Sequence, residues 1–371
     1  MNTTNPTIDK EVPKINIKYQ FMNQVFTNRP FIIIKEIQEN RILALSTKSF
    51  EIYDTRTNKR ICTVEGEFEE EKEEKFILRG NVKRYDDDIF FDFIELKNKD
   101  LILWSKGKIF YYKKFDNKYE LSQVINEVTQ QANPKRIGQL GYFQIYDLYN
   151  IIELDNNILL SCNSKGIKYY TFINNEYKLE KTISMLDVRN VIQINPQNSL
   201  IIHHCTSCSG GCMPVSYDKF ALSVFDSNKK KIITKIFEDF NGRSNYRSNY
   251  KFKYCLIGDN FIYQIYDCPY DDYDIYENKK DSLSFKFNIY NITKRNNIYD
   301  LKTSFRLVSY FKNNLVFAEE NKSLNVCYFE NNNFRSVYKF DLYFYMSTLC
   351  ILKNNDLIVP EDPLSGRIII L

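Results

Sequence analysis

The stretch H-H-C-T-S-C-S-G-G-C at 203–212 places His203, His204, Cys205, Cys208 and Cys212 within ten residues of a chain that has only two histidines. A C-x-x-C turn brings two thiols to one side of the backbone, which suits tetrahedral zinc. Gly210 and Gly211 free the backbone to fold Cys212 back toward that pair. The fourth ligand is then a histidine or Cys268, so the candidate metal set is His203, His204, Cys205, Cys208, Cys212 and Cys268. Two other readings stand beside zinc. A redox C-x-x-C opens a helix beside a strand, and no such context is present. Reduced cysteines in an ordinary loop also account for these residues, because the second C-x-x-C of a four-thiolate site is missing.

Two further stretches have recognition chemistry. Y-D-C-P-Y-D-D-Y-D-I-Y-E at 266–277 interleaves five acidic residues with four tyrosines. Tyr266, Asp267, Tyr270, Asp271, Asp272 and Tyr273 suit a basic peptide or a cation, but the glycine-bearing turn and regular oxygen spacing of a calcium loop are absent. A solvated acidic loop is the plainer reading. N-G-R-S-N-Y-R-S-N-Y-K-F-K-Y at 241–254 alternates base and ring; Arg243, Tyr246 and Arg247 offer charge for phosphate and a face for stacking, as single-stranded nucleic acid requires. The K-F-K-Y end, however, alternates like a strand whose rings belong in a core. E-F-E-E-E-K-E-E-K at 67–75 adds a negative patch, with Glu71 and Lys75 at helical spacing.

Catalytic sets are thin. The two histidines are adjacent, so no separate histidine can serve a distant Ser or Cys nucleophile. G-x-S-x-G, a glycine-rich phosphate loop and H-E-x-x-H are all missing. The expectation is a protein that is not an enzyme.

The elements that position these stretches are repeated. Seven times an Asn- or Asp-rich turn precedes a short apolar run: E-N-R-I-L-A-L at 39–45, N-K-D-L-I-L-W at 98–104, D-N-N-I-L-L-S at 155–161, Q-N-S-L-I-I-H at 197–203, G-D-N-F-I-Y-Q at 258–264, K-N-N-L-V-F-A at 312–318 and N-N-D-L-I-V-P at 354–360. Asn and Asp tolerate left-handed backbone angles and close tight hairpins. A second run follows each, such as F-E-I-Y-D at 50–54 and L-S-V-F-D at 222–226, and most have a third, such as Y-K-L-E-K-T-I at 177–183. With an apolar strand before each Asn turn, the count is four strands per unit and seven units, the pattern of a seven-bladed β-propeller.

On these residues the chain resembles the WD-repeat family. Tyr53-Asp54 and Phe225-Asp226 fall where that family places Trp-Asp, at the end of the third strand; Tyr290-Asn291 echoes them, Tyr112 and Tyr170 fill the aromatic slot without the acid, and Cys327 departs from it. The family's Gly-His pair is absent from every unit. The resemblance implies an all-β propeller of four antiparallel strands per blade, with blades near 31–65, 89–125, 147–183, 188–237, 250–302, 305–340 and 343–371. The last lacks a strand, and K-I-N-I-K-Y-Q-F at 14–21 is expected to complete it and close the ring behind an extended or disordered tail at 1–13. Residues 14–371 form one domain on this reading.

Composition fits. Tyr and Phe number 28 each, which favours pleated, half-buried surfaces. Lys plus Arg number 51 against 47 acidic residues, a balance that does not announce nucleic acid or an anionic membrane as partner. No secretory h-region is visible, no apolar run reaches membrane-span length, and nine cysteines suit a reducing compartment. The expectation is an intracellular, cytoplasmic, soluble protein.

Successive Asn turns lie roughly 42 to 61 residues apart, against about 40–45 for a WD-type blade. The excess, at 65–88, 126–146, 203–219, 238–250 and 266–283, falls between second and third strands or between blades, two classes that emerge on the same side. Loops on a rigid scaffold carry binding. The leading expectation is therefore a non-catalytic scaffold, a subunit of a larger complex, that binds protein partners there and needs no cofactor. A zinc-bearing or hydrolytic propeller using 203–212, and an RNA-binding propeller, are the alternatives.

Overall fold

The computed structural model describes residues 20–25, 31–38, 40–46, 48–57, 59–65, 90–105, 107–127, 148–155, 157–163, 165–185, 188–206, 218–239, 249–268, 285–294, 296–303, 306–310, 315–320, 323–331, 333–340, 350–351, 357–362 and 367–370. Every regular element among them is a strand, and the strands form four-stranded antiparallel sheets. The chain divides into two compact units.

The first unit comprises 1–26 and 248–371. Its strand β1 (Gln20–Val25) joins β26 (Cys350–Ile351), β27 (Leu357–Asp362) and β28 (Arg367–Ile370) in one sheet. Phe21 lies opposite Ile369, so the chain's N-terminal strand does complete its C-terminal sheet. The described strand begins at Gln20, near where the expected one ends; 14–19 lie outside the described residues. Two sheets in order precede it: β18 (Asn249–Ile257), β19 (Asn260–Cys268), β20 (Phe285–Asn291) and β21 (Asn296–Thr303), then β22 (Arg306–Tyr310), β23 (Leu315–Glu320), β24 (Ser323–Glu330) and β25 (Asn333–Phe340). Cys255, Ile262, Ile289, Val316 and Cys327 pack between these two.

The second unit, 27–247, holds four sheets, called here one to four. Sheet one is β2 (Phe31–Gln38), β3 (Arg41–Ser46), β4 (Ser49–Asp54) and β5 (Lys59–Glu65). Sheet two is β6 (Asp92–Glu95), β7 (Leu101–Trp104), β8 (Lys108–Phe115) and β9 (Lys118–Asn126). Sheet three is β10 (Leu148–Glu153), β11 (Ile158–Asn163), β12 (Gly166–Ile173) and β13 (Glu176–Ser184). Sheet four is β14 (Val188–Gln193), β15 (Asn198–Thr206), β16 (Asp218–Asp226) and β17 (Lys231–Asp239). In each the strands neighbour in sequence order, a simple meander.

The Asn and Asp turns do what their chemistry predicts. Asn40, Asn157, Asp116 and Asn331 take positive φ, and Asn174 and Asn175 do so in succession, closing β12 to β13 with two residues. Asp54 and Asp226, the acids of the Tyr-Asp and Phe-Asp pairs, accept backbone N–H groups of the turn that follows: Arg56 and Thr57 at 2.9 and 3.0 Å, Asn228 and Lys229 at 3.0 and 2.8 Å. The acid of this motif therefore fixes the hairpin into the fourth strand.

The aromatic doublets explain the tyrosine content. On β8, alternation sends Tyr112 toward sheet one and Tyr111 toward sheet three. Tyr112 meets Phe50 edge to face at 5.2 Å, and Tyr111 meets Tyr177 at 5.2 Å. On β12, Tyr170 joins the interface with sheet two, while Tyr169 faces Phe225 of sheet four. Sheets two and three thus each present one ring to each neighbour, and the edge-to-face pairs among these contribute roughly 0.5–1.5 kcal/mol beyond their buried area. The first strands are also tied: Lys35 of β2 pairs with Asp92 of β6, and the Asn150 amide of β10 donates to Asn190 of β14.

A feature of the outer strands was not expected. In all six sheets with a third-to-fourth strand pairing of the type β4–β5, the register slips by one residue beside the same slot: at Tyr53, Tyr112, Tyr170, Phe225, Tyr290 and Cys327. The fourth strand gains a bulged residue, such as Ser122 or Glu180, which bends an edge that would otherwise template another strand. The edge of β13 is further blunted by Gln123 of β9, whose amide donates to Tyr177 O at 2.9 Å and accepts from Tyr177 N at 2.8 Å.

Candidate interaction end of the sheets

In a four-stranded meander, the link between second and third strands and both inter-sheet links leave from one end; the other two turns leave from the opposite end. Within the second unit the described turns at the opposite end are short, as at Asn174-Asn175. The long connections, 66–89, 128–147, 207–217 and 240–248, all belong to the first class, as does 269–284 in the first unit.

One strand end that launches such a connection is firmly built. Glu127, the residue after β9, is buried at the root of 128–147. Its carboxylate accepts from Ser161 Oγ at 2.6 Å, Tyr170 OH at 2.8 Å and Asn163 Nδ2 at 3.2 Å, and it pairs with the Lys168 ammonium. Lys168 Nζ also donates to Glu127 O at 3.0 Å. Four donors from β11 and β12 thus converge on one acid from the neighbouring sheet. Burial, then the Glu127 charge, push the Tyr170 hydroxyl far above the usual tyrosine range, so it stays a donor. With donors on both carboxylate oxygens, the cluster anchors the end of β9 to sheet three. At the same end Trp104 Nε1 and Ser105 Oγ are buried without a partner among the described residues, at about 1–3 kcal/mol each.

Sheet four shows where the metal candidates lie. β15 runs on to Thr206 and β16 starts at Asp218, so His203 and His204 lie at the end of a strand, as the apolar run at 197–203 leads one to expect, and Cys205, expected in the loop, belongs to that strand as well. His203 lies opposite Ala221 and His204 opposite Phe220. His203 is buried, its Nε2 3.1 Å from Ser223 Oγ. Cys208 and Cys212 lie outside the described residues. Tyr266, Asp267 and Cys268 end β19, opposite Lys251, Tyr250 and Asn249, so the hairpins of the next sheet also extend further than expected. Tyr270, Asp271, Asp272, Tyr273, Arg243, Tyr246 and Arg247 lie outside the described residues.

Among the described residues no group of three His, Cys, Asp or Glu is disposed to hold a metal ion. Burial pushes the Cys162 thiol well up and that of Cys255 to about 12, which keeps both as neutral packing groups. No helix among the described residues is long and apolar enough to cross a membrane.

No family model matches the chain, and no curated protein matches it by sequence. Solved structures do. One is a chain from the crystal structure of a mitotic checkpoint complex, with a TM-score of 0.55 and 7% identity, covering 100% of this chain and 98% of that one. Another is a protein from Lactobacillus plantarum, with a TM-score of 0.52 and 8% identity, covering 84% of each. At such identities the likeness speaks for the fold alone. The class defined is an all-β, propeller-like chain of four-stranded antiparallel sheets.

Proposed function

We propose that this chain is a non-catalytic protein-interaction scaffold, a seven-bladed, WD-repeat-like propeller closed by its N-terminal strand, whose partners dock on the end that carries the long connections. The observation that carries the reading is the placement of those connections: the long excursions at 66–89, 128–147, 207–217, 240–248 and 269–284 belong to the link classes that leave one end of their sheets. Drift in loops without a role has no reason to prefer an end. The Glu127 anchor adds support, since a buried acid with donors on both oxygens at the root of 128–147 holds its base in place. A structural neighbour solved within a complex is in keeping with protein partners. The segments at 66–89 and 269–284 hold nine and five acidic residues against five and two basic ones, which favours basic partner surfaces. On this reading the protein is a cytoplasmic subunit of a larger complex, requires no cofactor, and uses any zinc at Cys205, Cys208 and Cys212 only to shape a loop.

The test replaces 66–89 and 128–147, singly and together, by Gly/Ser linkers of equal length in the tagged full chain. Partners identified by mass spectrometry should be lost from the purified assembly while the melting temperature holds. Undiminished partner recovery from the doubly replaced chain, or turnover of a substrate by the pure protein, contradicts the reading.

A further inference from the structure

The near balance of charge over the whole chain hides an uneven distribution along one rim of the second unit. In each of its sheets the turn from third to fourth strand leaves at the end opposite the long connections, and sheets one to four pack side by side in that order. The four hairpins built on those turns, 52–61, 113–120, 171–178 and 224–233, hold ten basic residues against five acidic ones, a net charge of +5 where the whole chain carries +4. Two of the five acids are engaged within their own turns: Asp54 by Arg56 and Thr57, Asp226 by Asn228 and Lys229. Lys59, Lys118, Lys178 and Lys231, one from each hairpin, are exposed. The first-to-second turns at the same end, 38–41, 95–101, 153–158 and 193–198, hold three basic against five acidic residues. The positive charge therefore belongs to the outer hairpins.

The same hairpins hold exposed apolar side chains. Of the seven large apolar residues exposed among the described ones, four lie there, in about a tenth of the chain: Phe115, Ile173, Ile232 and Ile233. Phe115 and Ile173 occupy one position, the last residue of the third strand before a two-residue turn, and are 51% and 46% exposed. Scattered single residues of this kind need no account; a concentration on one set of turns does. These hairpins are also tied to their neighbours. Arg41 Nη2 donates to Asn117 Oδ1 at 2.9 Å, Lys114 Nζ donates to Gln38 Oε1 at 3.2 Å, and Lys230 pairs with Glu180 while lying over the Tyr169 ring. A protein partner needs apolar surface shaped to each tip. A bilayer needs none, because apolar tips that stand apart each enter the acyl boundary while lysine and arginine meet anionic headgroups. Nucleic acid would take the charge, but it stacks on rings and leaves three isoleucines without a partner. The combination selects lipid.

We infer that this rim docks the protein on an anionic lipid surface, with Phe115, Ile173, Ile232 and Ile233 entering the interface and the basic residues lying on the headgroups. The full chain should sediment with phosphatidylcholine vesicles that contain phosphatidylserine, not with pure phosphatidylcholine vesicles, and less in high salt. Phe115→Ser with Ile173→Ser, and separately Lys118→Glu with Lys178→Glu, should each weaken vesicle binding roughly tenfold at an unchanged melting temperature. Phe115→Trp reads insertion directly. Its added fluorescence should be quenched by phosphatidylserine-containing vesicles brominated in the acyl chains, whereas the native, buried Trp104 should not respond. Replacing 66–89 and 128–147 by Gly/Ser linkers should leave vesicle binding intact, which separates this outcome from that of the scaffold test. No sedimentation, binding indifferent to the rim variants, or an unquenched Phe115→Trp would overturn the inference. So would a chain that ignores vesicles but binds RNA or an acidic polypeptide and loses it in the same variants.

Discussion

Replacing Glu127 with alanine is expected to destabilise the second unit by about 3–5 kcal/mol, the range for breaking a buried ion pair from one side. The reason lies in what is left behind. Lys168 keeps a charge on a side chain only 11% exposed, and Ser161, Asn163 and Tyr170 lose their acceptor together. Glu127→Gln retains one acceptor oxygen and should cost less. The double variant Glu127→Leu/Lys168→Met removes both charges and should regain part of the loss, because apolar replacement of a whole buried pair is often neutral. Urea unfolding of these proteins, with the single variants Glu127→Leu and Lys168→Met to close the cycle, measures the coupling. A cost under about 1 kcal/mol for Glu127→Ala would mean that the cluster is solvated and anchors nothing.

Gly166→Ala is the second substitution with a large expected effect, about 3 kcal/mol or more. Gly166 has φ +136°, and an added Cβ would lie 2.1 Å from Ile183 O and 2.7 Å from Met185 N, backbone atoms that have no room to yield. Gly258 is the control. Its φ is +57° with nothing within 4 Å of the new Cβ, so Gly258→Ala should cost only the left-handed penalty of about 1–2 kcal/mol. Thermal unfolding and soluble yield of the two proteins should separate them clearly; equal effects would show that close approach at Gly166 is not what sets the residue.

The contrast between these two glycines illustrates what a chain read alone can and cannot reveal. Turn residues were legible, since Asn157 or Asn174 announces a left-handed angle by its own chemistry. Lys99 and Lys230 take the same angles and announce nothing. The slot aromatics at Tyr112 and Tyr170 were legible as repeats, but the matching roles of Tyr111 and Tyr169 depend on which neighbour each side of a strand meets. The bulges opposite that slot were not legible, because a register slip is a property of two strands. Gln123 reads as an ordinary polar strand residue until Tyr177 of the next sheet comes beside it. Glu127 was invisible for a similar reason: its partners follow it by 34 to 43 residues, across a long connection. The strand end at His203 and His204 was legible from the apolar run before them, whereas its continuation through Cys205 and Thr206, opposite Lys219 and Asp218, was not, because that length is a property of the pairing with β16.

The claim on which the account rests is that long connections gather at one end of the sheets and that partners meet the protein there. Amine cross-linking of the affinity-purified assembly, read by mass spectrometry, tests it most directly. Links to other polypeptides should concentrate on Lys72, Lys75, Lys83 and Lys135, within 66–89 and 128–147, and should spare Lys59 and Lys97, which sit at the short turns of the opposite end of the second unit's sheets. Links spread evenly over both groups, or gathered on Lys59 and Lys97, would contradict it.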